Sequence, residues 1–389
     1  MTDRLYYTDA YRSEFTAVVL AVDPATRQVQ LDRTAFYPTS GGQPHDVGML
    51  GALRVTDVID EDGRVVHVLE SIDGLASGAA VDGTVDWVRR FDWMQQHTGQ
   101  HLLSALCADA YGWPTTSVHF GDAYCTVDIA APNVDTATLR EIERAANAVI
   151  TSNRAVTVTF EDSATARGLR KPSERTGELR VISIDGIDRS ACGGTHVRHT
   201  GEIGSILLRR AERTKGAVRI EFLCGARAVS RASADAELLS RAARALSAAP
   251  DELPALVESQ LQRLTESERE RKRLASELAR HEAAIMWSGA ALDDRGMRRI
   301  VLDTGDAPVK DAEPLAMALV ALGGCQVLVR ASTGVMLAAS PDCGIDAGAA
   351  LKAALGEVGG RGGGSPRAAQ GSVPDAGAAG RVGALLGFA

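Results

Sequence analysis

The run WMQQHTGQHLLSALC, residues 93–107, marks the point where the sequence changes from strand-like to helical patterning. Its apolar residues and both of its histidines recur at three- and four-residue intervals, which predicts an amphipathic helix. The helix should stop at Tyr111-Gly112-Trp113-Pro114, because glycine and proline both interrupt helices. Since strands precede this helix and further strands follow it, we expect a protein of the α+β class.

The segment upstream of this helix, residues 1–90, alternates apolar and polar positions in short runs that Gly, Pro and Asp clusters interrupt. That pattern predicts a small all-β barrel or sandwich. Downstream, residues 91–227 combine the helix with a second one over Asp135–Ser152 and with several strand-like runs, so we expect an α+β domain there. The strand-like runs are Thr126–Ile129, Val156–Phe160 and Val218–Leu223.

A third segment, residues 228–290, is rich in Ala, Leu, Glu and Arg, with one interruption at Pro250–Pro254. Two helices packed as a hairpin fit that composition. Its apolar stripe would serve either packing within the chain or a dimer contact, and both uses remain open. The stripe consists of Leu253, Leu256, Val257, Leu261, Leu264, Leu274 and Leu278.

The last segment, residues 291–389, contains two candidates for buried strands, Ile300–Leu302 and Val327–Val329, and a helix near Ala347–Leu355. The following stretch, Gly359–Gly371, is too rich in glycine for regular structure. Because apolar residues resume after it, we expect an ordered loop rather than a flexible linker.

Composition restricts the class of protein. With 389 residues, of which 45% are hydrophobic and 24% charged, the chain has enough material for two or three packed domains. Its start carries an acidic residue and no long apolar run, so no signal peptide or membrane span is expected. The six cysteines lie far apart, which predicts reduced thiols, a cytoplasmic address and a Cys192 that is free to bind metal.

The net charge of −8 gives the molecule no overall basic field that would attract nucleic acid, so any RNA contact requires a local patch. One candidate patch spans residues 205–228, where six basic residues against two acidic ones give a local +4. A solvated strand face explains the same charges. The basic residues are Arg209, Arg210, Arg213, Lys215, Arg219 and Arg227.

Four residues suggest a metal site. His97 and His101 stand four residues apart on one helical face, about 6 Å from each other, so both imidazoles can reach one ion. Cys192 and His196 frame a Gly-Gly pair that lets the backbone bend sharply, bringing a thiolate and an imidazole together. A His₃Cys set formed by two distant ligand pairs is typical of zinc.

The role of such a zinc is open at this point, because a structural zinc uses four protein ligands whereas a catalytic zinc usually keeps one position for water. Candidate small polar groups are Thr98 and Thr195, next to the ligands in the sequence, and the loop Thr39-Ser40-Gly41-Gly42-Gln43 of the barrel segment. These groups could hydrogen-bond a substrate hydroxyl, and ordinary turn chemistry accounts for them equally well.

Three runs occur in an order that resembles a known family. They are FYPTSGGQPHDVG at Phe36–Gly48, HTGQHLL from His97, and Cys192–Val197 with Thr200–Gly204. The chain resembles the editing half of alanyl-tRNA synthetase, and still more the free-standing AlaX proteins in their long form with a C-terminal domain. The editing domains of threonyl-tRNA synthetase share a distant version of the middle segment.

The resemblance implies a four-part architecture. An N-terminal barrel at 1–90 precedes a zinc-binding editing domain at 91–227. A helical hairpin at 228–290 then leads to a C-terminal α/β domain of the DHH-associated type at 291–389, which would bind tRNA or mediate oligomerisation. A homodimer through the C-terminal half is one arrangement that this architecture leaves open.

The resemblance also implies an activity. One zinc ion held by His97, His101, Cys192 and His196 would serve a hydrolase that releases serine, or glycine, from mischarged tRNA(Ala). Such a protein is a trans-editing aminoacyl-tRNA deacylase. By position, Thr98 would contact the serine hydroxyl and the other catalytic-site candidates would be Gln43 and Thr195, while RNA contacts would fall to Arg209, Arg210, Lys215, Arg219, Gly362 and Gly363.

Two alternatives stand beside this expectation: a non-catalytic tRNA-binding protein with a structural zinc, and a deacylase of another tRNA such as Thr-tRNA. The sequence begins at the barrel and contains no phosphate-binding GxxxxGK[ST] motif, so charging of tRNA with ATP is not expected.

Overall fold

A computed structural model describes residues 2–61, 63–172 and 176–388 of the chain. It confirms the α+β class, since the described residues form several β-sheets and eight α-helices. The chain divides into two compact units, Met1–Ala242 and Ala243–Ala389. In the described part of the chain, no helix combines the length and the apolar character needed to cross a membrane.

The first unit begins with strand β1 (Asp3–Arg4), which pairs with β4 (Arg33–Thr34), and with the one-turn helix α1 (Leu5–Thr8). A closed barrel of six strands follows, built from β2 (Glu14–Asp23), β3 (Gln28–Leu31), β5 (Gly48–Leu50), β6 (Leu53–Glu61), β7 (Arg64–Leu69) and β8 (Ala80–Val85). Its order is β2-β3-β7-β6-β5-β8. Alternate strand residues such as Phe15, Ala17 and Val19 fill its interior, as the two-residue period of a strand requires.

Helix α2 (Trp87–Tyr111) carries the first two predicted metal ligands and is largely buried. It begins six residues before Trp93 because the carboxylate of Asp86 caps it by accepting a hydrogen bond from the backbone N–H of Arg89. It ends as predicted at Gly112, which adopts the left-handed conformation (φ 67°) that glycine favours.

Two antiparallel sheets surround this helix. The elements that follow α2 are β9 (Thr115–Phe120), β10 (Cys125–Ile129), α3 (Thr136–Thr151), β11 (Val156–Asp162), β12 (Glu178–Ile184), β13 (Asp188–Ala191), β14 (Ile206–Thr214), β15 (Ala217–Cys224) and α4 (Gly225–Ala245). The first sheet has the order β14-β15-β10-β9, and the second the order β11-β12-β13. Met94 and Leu102 of α2 share one hydrophobic core with Val127 and Ile129 of β10.

The second unit contains α5 (Leu253–Gly289), β16 (Arg298–Gly305), α6 (Glu313–Ala321), β17 (Cys325–Ala331), β18 (Gly334–Ala339), α7 (Ala347–Glu357), β19 (Arg361–Gly364), β20 (Ala368–Ser372) and α8 (Ala376–Leu385). Its five-stranded sheet has the order β16-β17-β18-β20-β19, in which β16 and β17 are parallel and the other neighbours antiparallel. Leu328 and Leu337 of this sheet pack against Leu351 and Leu355 of α7.

The glycine-rich stretch Gly359–Gly371 does form regular structure, so the expectation of an irregular loop is wrong. Most of it forms the hairpin of β19 and β20, in which Gly362 pairs with Gly371. A Cβ atom would lie 2.7 Å from Cδ1 of Leu355 if added at Gly362, and 2.3 Å if added at Gly371. Glycine is therefore needed here because the hairpin lies directly against α7, and the backbone hydrogen bonds of the ladder supply the order.

The predicted apolar stripe of the third segment lies mostly on the exposed surface of α5. Leu253 is buried, whereas Leu261, Leu264 and Leu278 are each more than half exposed. The helical hairpin and the homodimer contact both stay predictions.

Candidate metal centre

The structure brings the four predicted metal ligands together. His97 and His101 project from α2, and Cys192 and His196 come from the loop that follows β13. Their ligand atoms all lie within 4.8 Å of one another. Sγ of Cys192 is 3.5 Å from Nε2 of His97 and 3.4 Å from Nε2 of His196.

These distances fit a tetrahedral zinc site. With Zn–S near 2.3 Å and Zn–N near 2.0–2.1 Å, tetrahedral geometry places a sulfur and a nitrogen ligand about 3.5 Å apart. One thiolate and three imidazoles are also the ligand types that zinc prefers. The donor set therefore suits one zinc ion in both chemistry and spacing.

Each imidazole is oriented by a hydrogen bond at its other ring nitrogen. Nδ1 of His97 lies 2.8 Å from Oε1 of Gln43, and Nδ1 of His101 lies 2.9 Å from Oδ2 of Asp188. Nδ1 of His196 lies 3.1 Å from Oγ1 of Thr98. With Nδ1 engaged in all three rings, Nε2 is the nitrogen directed at the centre, which is the arrangement that fixes the tautomer of a metal-binding histidine.

The hydroxyl of Thr98 makes three hydrogen bonds, one of them with His196. It donates to the carbonyl of Met94 at 2.8 Å and accepts from the backbone N–H of Val197 at 3.2 Å, so a single acceptor site remains for Nδ1–H of His196. Thr98 is also completely buried. This geometry favours a role in orienting His196 over the expected contact with a serine hydroxyl.

Gln43 links the barrel segment to the metal centre. Its Oε1 accepts from Nδ1 of His97 and from the backbone N–H of Thr195, and its Nε2 donates to Oγ1 of Thr195 at 2.7 Å. Both side chains are fully buried. Gln43 and Thr195 therefore fix the position of His97 relative to the loop that carries Cys192 and His196.

The Cys-Gly-Gly loop has a support that the sequence did not reveal. The guanidinium of Arg180, 8% exposed, donates to the carbonyl oxygens of Cys192 and Gly194 at 2.8 Å each. Gly194 is also sterically required, because a Cβ at this position would lie 2.2 Å from Cε1 of His97. No local pattern distinguishes Arg180 from the chain's other arginines, so its role emerges only from the fold.

Asp188 is the second supporting residue that sequence reasoning missed. Its Oδ2 accepts from His101, and its Oδ1 accepts from Nε of Arg170 at 2.6 Å. It is 5% exposed. Asp188 is one of 50 acidic residues in the chain, and no local sequence pattern distinguishes it from the others. Its role follows from its position at the start of β13, next to His101 of α2.

The electrostatics of the centre favour a thiolate. Burial raises the pKa of Cys192, but the surrounding His97, His101 and His196 lower it more, and the result lies well below the ordinary thiol value. Burial lowers the pKa of His196 to about 3, with His97 acting in the same direction. Burial also lowers the pKa of His101, but its interactions with Asp188 and with the sulfur of Cys192 together outweigh burial and raise the value to about 9.

The basic patch of residues 205–228 is largely neutralised by acidic partners. Arg209 and Arg210 both pair with Glu221, at 3.0 and 2.9 Å, and Arg219 pairs with Asp128 at 2.8 Å. Arg227 pairs with Asp92. Lys215 lies exposed in the turn between β14 and β15. The count of +4 thus overstates the positive charge of this surface, because Asp128 and Asp92 come from outside the counted segment.

Within the first unit, the candidate residues form two separate groups. Gln43, Thr98 and Thr195 surround the metal ligands, whereas Arg209, Arg210, Lys215 and Arg219 lie on the sheet that contains β14 and β15. Gly362 and Gly363 belong to β19 in the second unit.

Two parts of the chain match known protein families. Residues 179–221 match the family described as the threonyl and alanyl tRNA synthetase second additional domain, and residues 8–89 match the class II (A) tRNA synthetases. The alanine–tRNA ligase of Methanosarcina barkeri is 32% identical over 96% of this chain, and that of Pyrococcus abyssi is 35% identical over 72%. The chain spans only 43% and 32% of those two ligases.

A further relative matches along its whole length. The alanyl-tRNA editing protein AlaX-L of Pyrococcus horikoshii is 31% identical to this chain, and the match covers 96% of this chain and 95% of that protein. The chain therefore belongs to the AlaX family of alanyl-tRNA editing proteins.

Proposed function

We propose that this protein is a trans-editing deacylase that hydrolyses Ser-tRNA(Ala), and Gly-tRNA(Ala), with the help of one zinc ion. Membership of the editing family makes the chain an aminoacyl-tRNA hydrolase. The observation that carries the zinc dependence is the His₃Cys cluster, in which each imidazole is oriented by its own hydrogen-bond partner. The cytoplasmic address stays a prediction.

The reaction is the hydrolysis of an ester. Water adds to the carbonyl carbon, the bond between that carbon and the ribose oxygen breaks, and the products are a free amino acid and an uncharged tRNA end. Zinc bound by His97, His101, Cys192 and His196 would supply a Lewis acid that attracts the carbonyl oxygen or a water molecule.

The chain's own residues prepare this centre. Gln43, Thr98 and Asp188 fix the three imidazole rings with Nε2 facing inward, so little rearrangement is needed when the substrate binds. Arg180 holds the carbonyl groups of the Cys-Gly-Gly loop and thereby sets the position of Cys192. We therefore treat Gln43, Thr98 and Thr195 as positioning residues for the ligands.

The tRNA would be held by other parts of the molecule. We propose that tRNA phosphates contact Lys215, which lies in an exposed turn, and the three arginines of β14 and β15, Arg209, Arg210 and Arg219. The acidic partners of these arginines reduce the net positive charge of this surface. Gly363 of β19, where an added Cβ would meet no atom within 4 Å, would allow close approach of an RNA backbone, whereas the expected contact at Gly362 is disfavoured because this residue packs against Leu355. Phosphate contacts of this kind weaken with rising salt.

A panel of charged tRNAs tests the proposal. Purified protein is incubated with Ser-, Gly- and Ala-tRNA(Ala) and with Ser-tRNA(Thr), and the release of the amino acid is followed. We expect release of serine and glycine from tRNA(Ala) and retention of alanine. Release no faster than in buffer from every tRNA would instead favour a tRNA-binding protein with a structural zinc.

A further inference from the structure

Gly193 of the ligand loop is a glycine that packing does not require. Its neighbour Gly194 cannot carry a side chain, because a Cβ there would lie 2.2 Å from Cε1 of His97. A Cβ at Gly193 would meet only the hydroxyl oxygen of Tyr7, at 3.6 Å, which is an ordinary van der Waals distance. Nor does Gly193 adopt the left-handed backbone conformation that favours glycine. Glycine at this position therefore leaves an open space that the packing of the chain does not use.

This space adjoins the most accessible of the four metal ligands. His97, His101 and His196 are 4%, 8% and 4% exposed, whereas Cys192 and the adjacent Gly193 are partly exposed. Among the four ligands, Cys192 therefore marks the side from which a molecule in solution reaches the cluster most easily. A substrate that approaches from this side passes Gly193.

The hydroxyl of Tyr7 borders the space in a fixed position. Nη1 of Arg4 donates to it at 3.1 Å, and Arg4 is itself paired with Asp60 at 2.7 Å. The guanidinium of Arg180 joins Tyr7 to the ligand loop, since its Nε donates to the carbonyl of Tyr7 at 2.9 Å and its Nη1 donates to the carbonyl of Cys192 at 2.8 Å. Tyr7 and Cys192 are thus held by the same side chain.

Tyr7 can still donate a hydrogen bond. A phenol donates one hydrogen bond and also accepts, and Arg4 has only donors, so the contact with Arg4 uses the oxygen of Tyr7 and not its hydrogen. Among the described residues, no acceptor is in hydrogen-bond contact with this hydroxyl. Tyr7 therefore offers a donor to a group that enters the space beside Gly193.

A seryl ester suits this arrangement. Its side chain branches from the carbon next to the carbonyl group, so the side chain lies close to the metal ligands when the carbonyl group approaches them. The seryl hydroxyl can accept a hydrogen bond, whereas the methyl group of alanine cannot. Since Thr98 already makes three hydrogen bonds within the protein, recognition of this hydroxyl requires a different residue.

We propose that Tyr7 is the residue that selects serine: the side chain of the substrate enters the space beside Gly193, and its hydroxyl accepts a hydrogen bond from Oη of Tyr7. The proposal rests on the deacylase function and adds the residue that determines specificity at the same site. Alanine would place a methyl group against the donor and leave it unpaired, which a site of this kind disfavours. Glycine would leave room for a water molecule at the same position.

The test compares two probes that resist hydrolysis, 3′-serylamino-3′-deoxyadenosine and its glycyl counterpart, in which an amide replaces the ester. Titration calorimetry measures the affinity of the full-length protein for each probe. We expect the unaltered chain to bind the seryl probe about fivefold or more tightly than the glycyl probe, and Tyr7→Phe, which removes only the hydroxyl, to lose this preference. An unaltered chain without the preference, or a preference that persists in Tyr7→Phe, would overturn the proposal.

Tyr6→Phe is the matched control for Tyr7→Phe. The ring of Tyr6 packs edge to face against that of Tyr7, with centroids 5.1 Å apart, and its buried hydroxyl has no hydrogen-bond partner among the described residues. We expect this variant to keep the preference and both variants to keep the zinc content of the unaltered chain. If Tyr6→Phe lost the preference as completely as Tyr7→Phe, the packing of the tyrosines and not the Tyr7 hydroxyl would be responsible, and the proposal would fail.

Gly193→Ala tests the position of the substrate side chain independently, because it adds a methyl group to the space. We expect it to weaken binding of the seryl probe more than binding of the glycyl probe, which has no side chain to place there. Gly380→Ala in α8, where an added Cβ meets no atom within 4 Å, is the control. Equal affinities of the two alanine variants for the seryl probe would contradict the assignment.

Deacylation kinetics keep this proposal separable from the proposed function. If Tyr7 selects serine, Tyr7→Phe lowers the ratio of kcat/KM for Ser-tRNA(Ala) to kcat/KM for Gly-tRNA(Ala) by about fivefold or more. A purely structural role of Tyr7 would lower both values by the same factor, and an unchanged ratio would contradict the proposal while leaving the deacylase intact. A protein that distinguishes the two probes through Tyr7 but releases neither amino acid would contradict the deacylase instead.

Discussion

Oδ2 of Asp188 lies 2.9 Å from Nδ1 of His101, and this buried carboxylate supports the imidazole from the side opposite the metal centre. The same carboxylate accepts from Nε of Arg170 at 2.6 Å. One side chain thus joins the metal cluster to Arg170, whose guanidinium also binds Asp109. Hydrogen bonds from Arg170 and His101 hold the pKa of Asp188 below its usual range although burial raises it, so the group is an anion at neutral pH.

Replacing Asp188 with Asn should weaken zinc binding about 10- to 100-fold, the usual effect of removing the partner of a metal-binding histidine. The amide preserves the shape of the side chain but no longer offers a negative charge to His101. Competition with a chromophoric chelator measures the affinity. The control is Asp185→Asn, at an exposed position in the turn between β12 and β13. Equal zinc affinities of the two variants would contradict the prediction.

Gly194→Ala and Gly193→Ala form a matched pair within the ligand loop. A Cβ at Gly194 would lie 2.2 Å from Cε1 of His97 and 2.9 Å from Oε1 of Gln43, whereas a Cβ at Gly193 meets only the hydroxyl of Tyr7, at 3.6 Å. We expect Gly194→Ala to lose zinc and Gly193→Ala to retain it. Metal analysis by mass spectrometry decides, and full zinc occupancy in Gly194→Ala would disprove the steric argument.

The sequence predicted the metal ligands because each pair is local. His97 and His101 are related by helical geometry, and Cys192 and His196 by a short glycine loop. Their supports are not local: Gln43 reaches His97 across 54 residues and Asp188 reaches His101 across 87. Such partners depend on how the barrel, α2 and β13 pack together, so spacing alone could not reveal them.

Two features of the sequence take a different meaning in the fold, for physical reasons. Residues 205–228 carry a net charge of +4 in the sequence, but the fold places Asp128 and Asp92, from outside this segment, beside Arg219 and Arg227. The glycine content of residues 359–371 predicts irregular structure, but close packing against Leu355 is what excludes side chains at Gly362 and Gly371. In both cases the decisive partner lies far away in the sequence.

Asp46 and Arg90 form a fully buried ion pair between the barrel segment and α2, which provides a test of stability. Nε of Arg90 lies 3.0 Å from both carboxylate oxygens, and Nη1 donates to the carbonyl of Ala10. Asp46→Ala should lower the free energy of unfolding by about 3–5 kcal/mol, because it leaves a buried cation without its counter-charge.

The control is Asp60→Ala, which removes the partner of Arg4 at a partly exposed pair and should cost about 1 kcal/mol or less. Urea unfolding, followed by circular dichroism, measures both variants. A loss in Asp46→Ala no greater than that in Asp60→Ala would show that the buried pair contributes little.

His67 makes the stability of the barrel depend on pH. Burial lowers its pKa to about 4, and the neutral ring lies 2.8 Å from Oγ1 of Thr34 and 3.2 Å from the carbonyl of Val29. Since the folded-state pKa is below the unfolded value of about 6.5, the unfolded chain takes up the proton first as the pH falls. The stabilisation that neutral His67 gives to the folded state is therefore complete above pH 6.5. It declines towards pH 4, and the free energy of unfolding falls by about 3 kcal/mol over this range.

His67→Gln removes this titration, so the difference in unfolding free energy between the unaltered chain and the variant should shrink as the pH is lowered from 7 to 4.5. Urea titrations at several pH values measure that difference. A difference that stays constant across this range would mean that His67 titrates normally.

The central claim is that the His₃Cys cluster serves the hydrolysis of mischarged tRNA(Ala). The most direct test is the single-turnover rate of serine release from Ser-tRNA(Ala) by the unaltered chain and by Cys192→Ala, with the zinc content and the folding of both proteins measured in parallel. We predict a folded variant that lacks zinc and releases serine at least about 100-fold more slowly, since losing a ligand should exceed the effect of losing a ligand's partner. Serine release at the unaltered rate by a folded, zinc-free variant would contradict the claim.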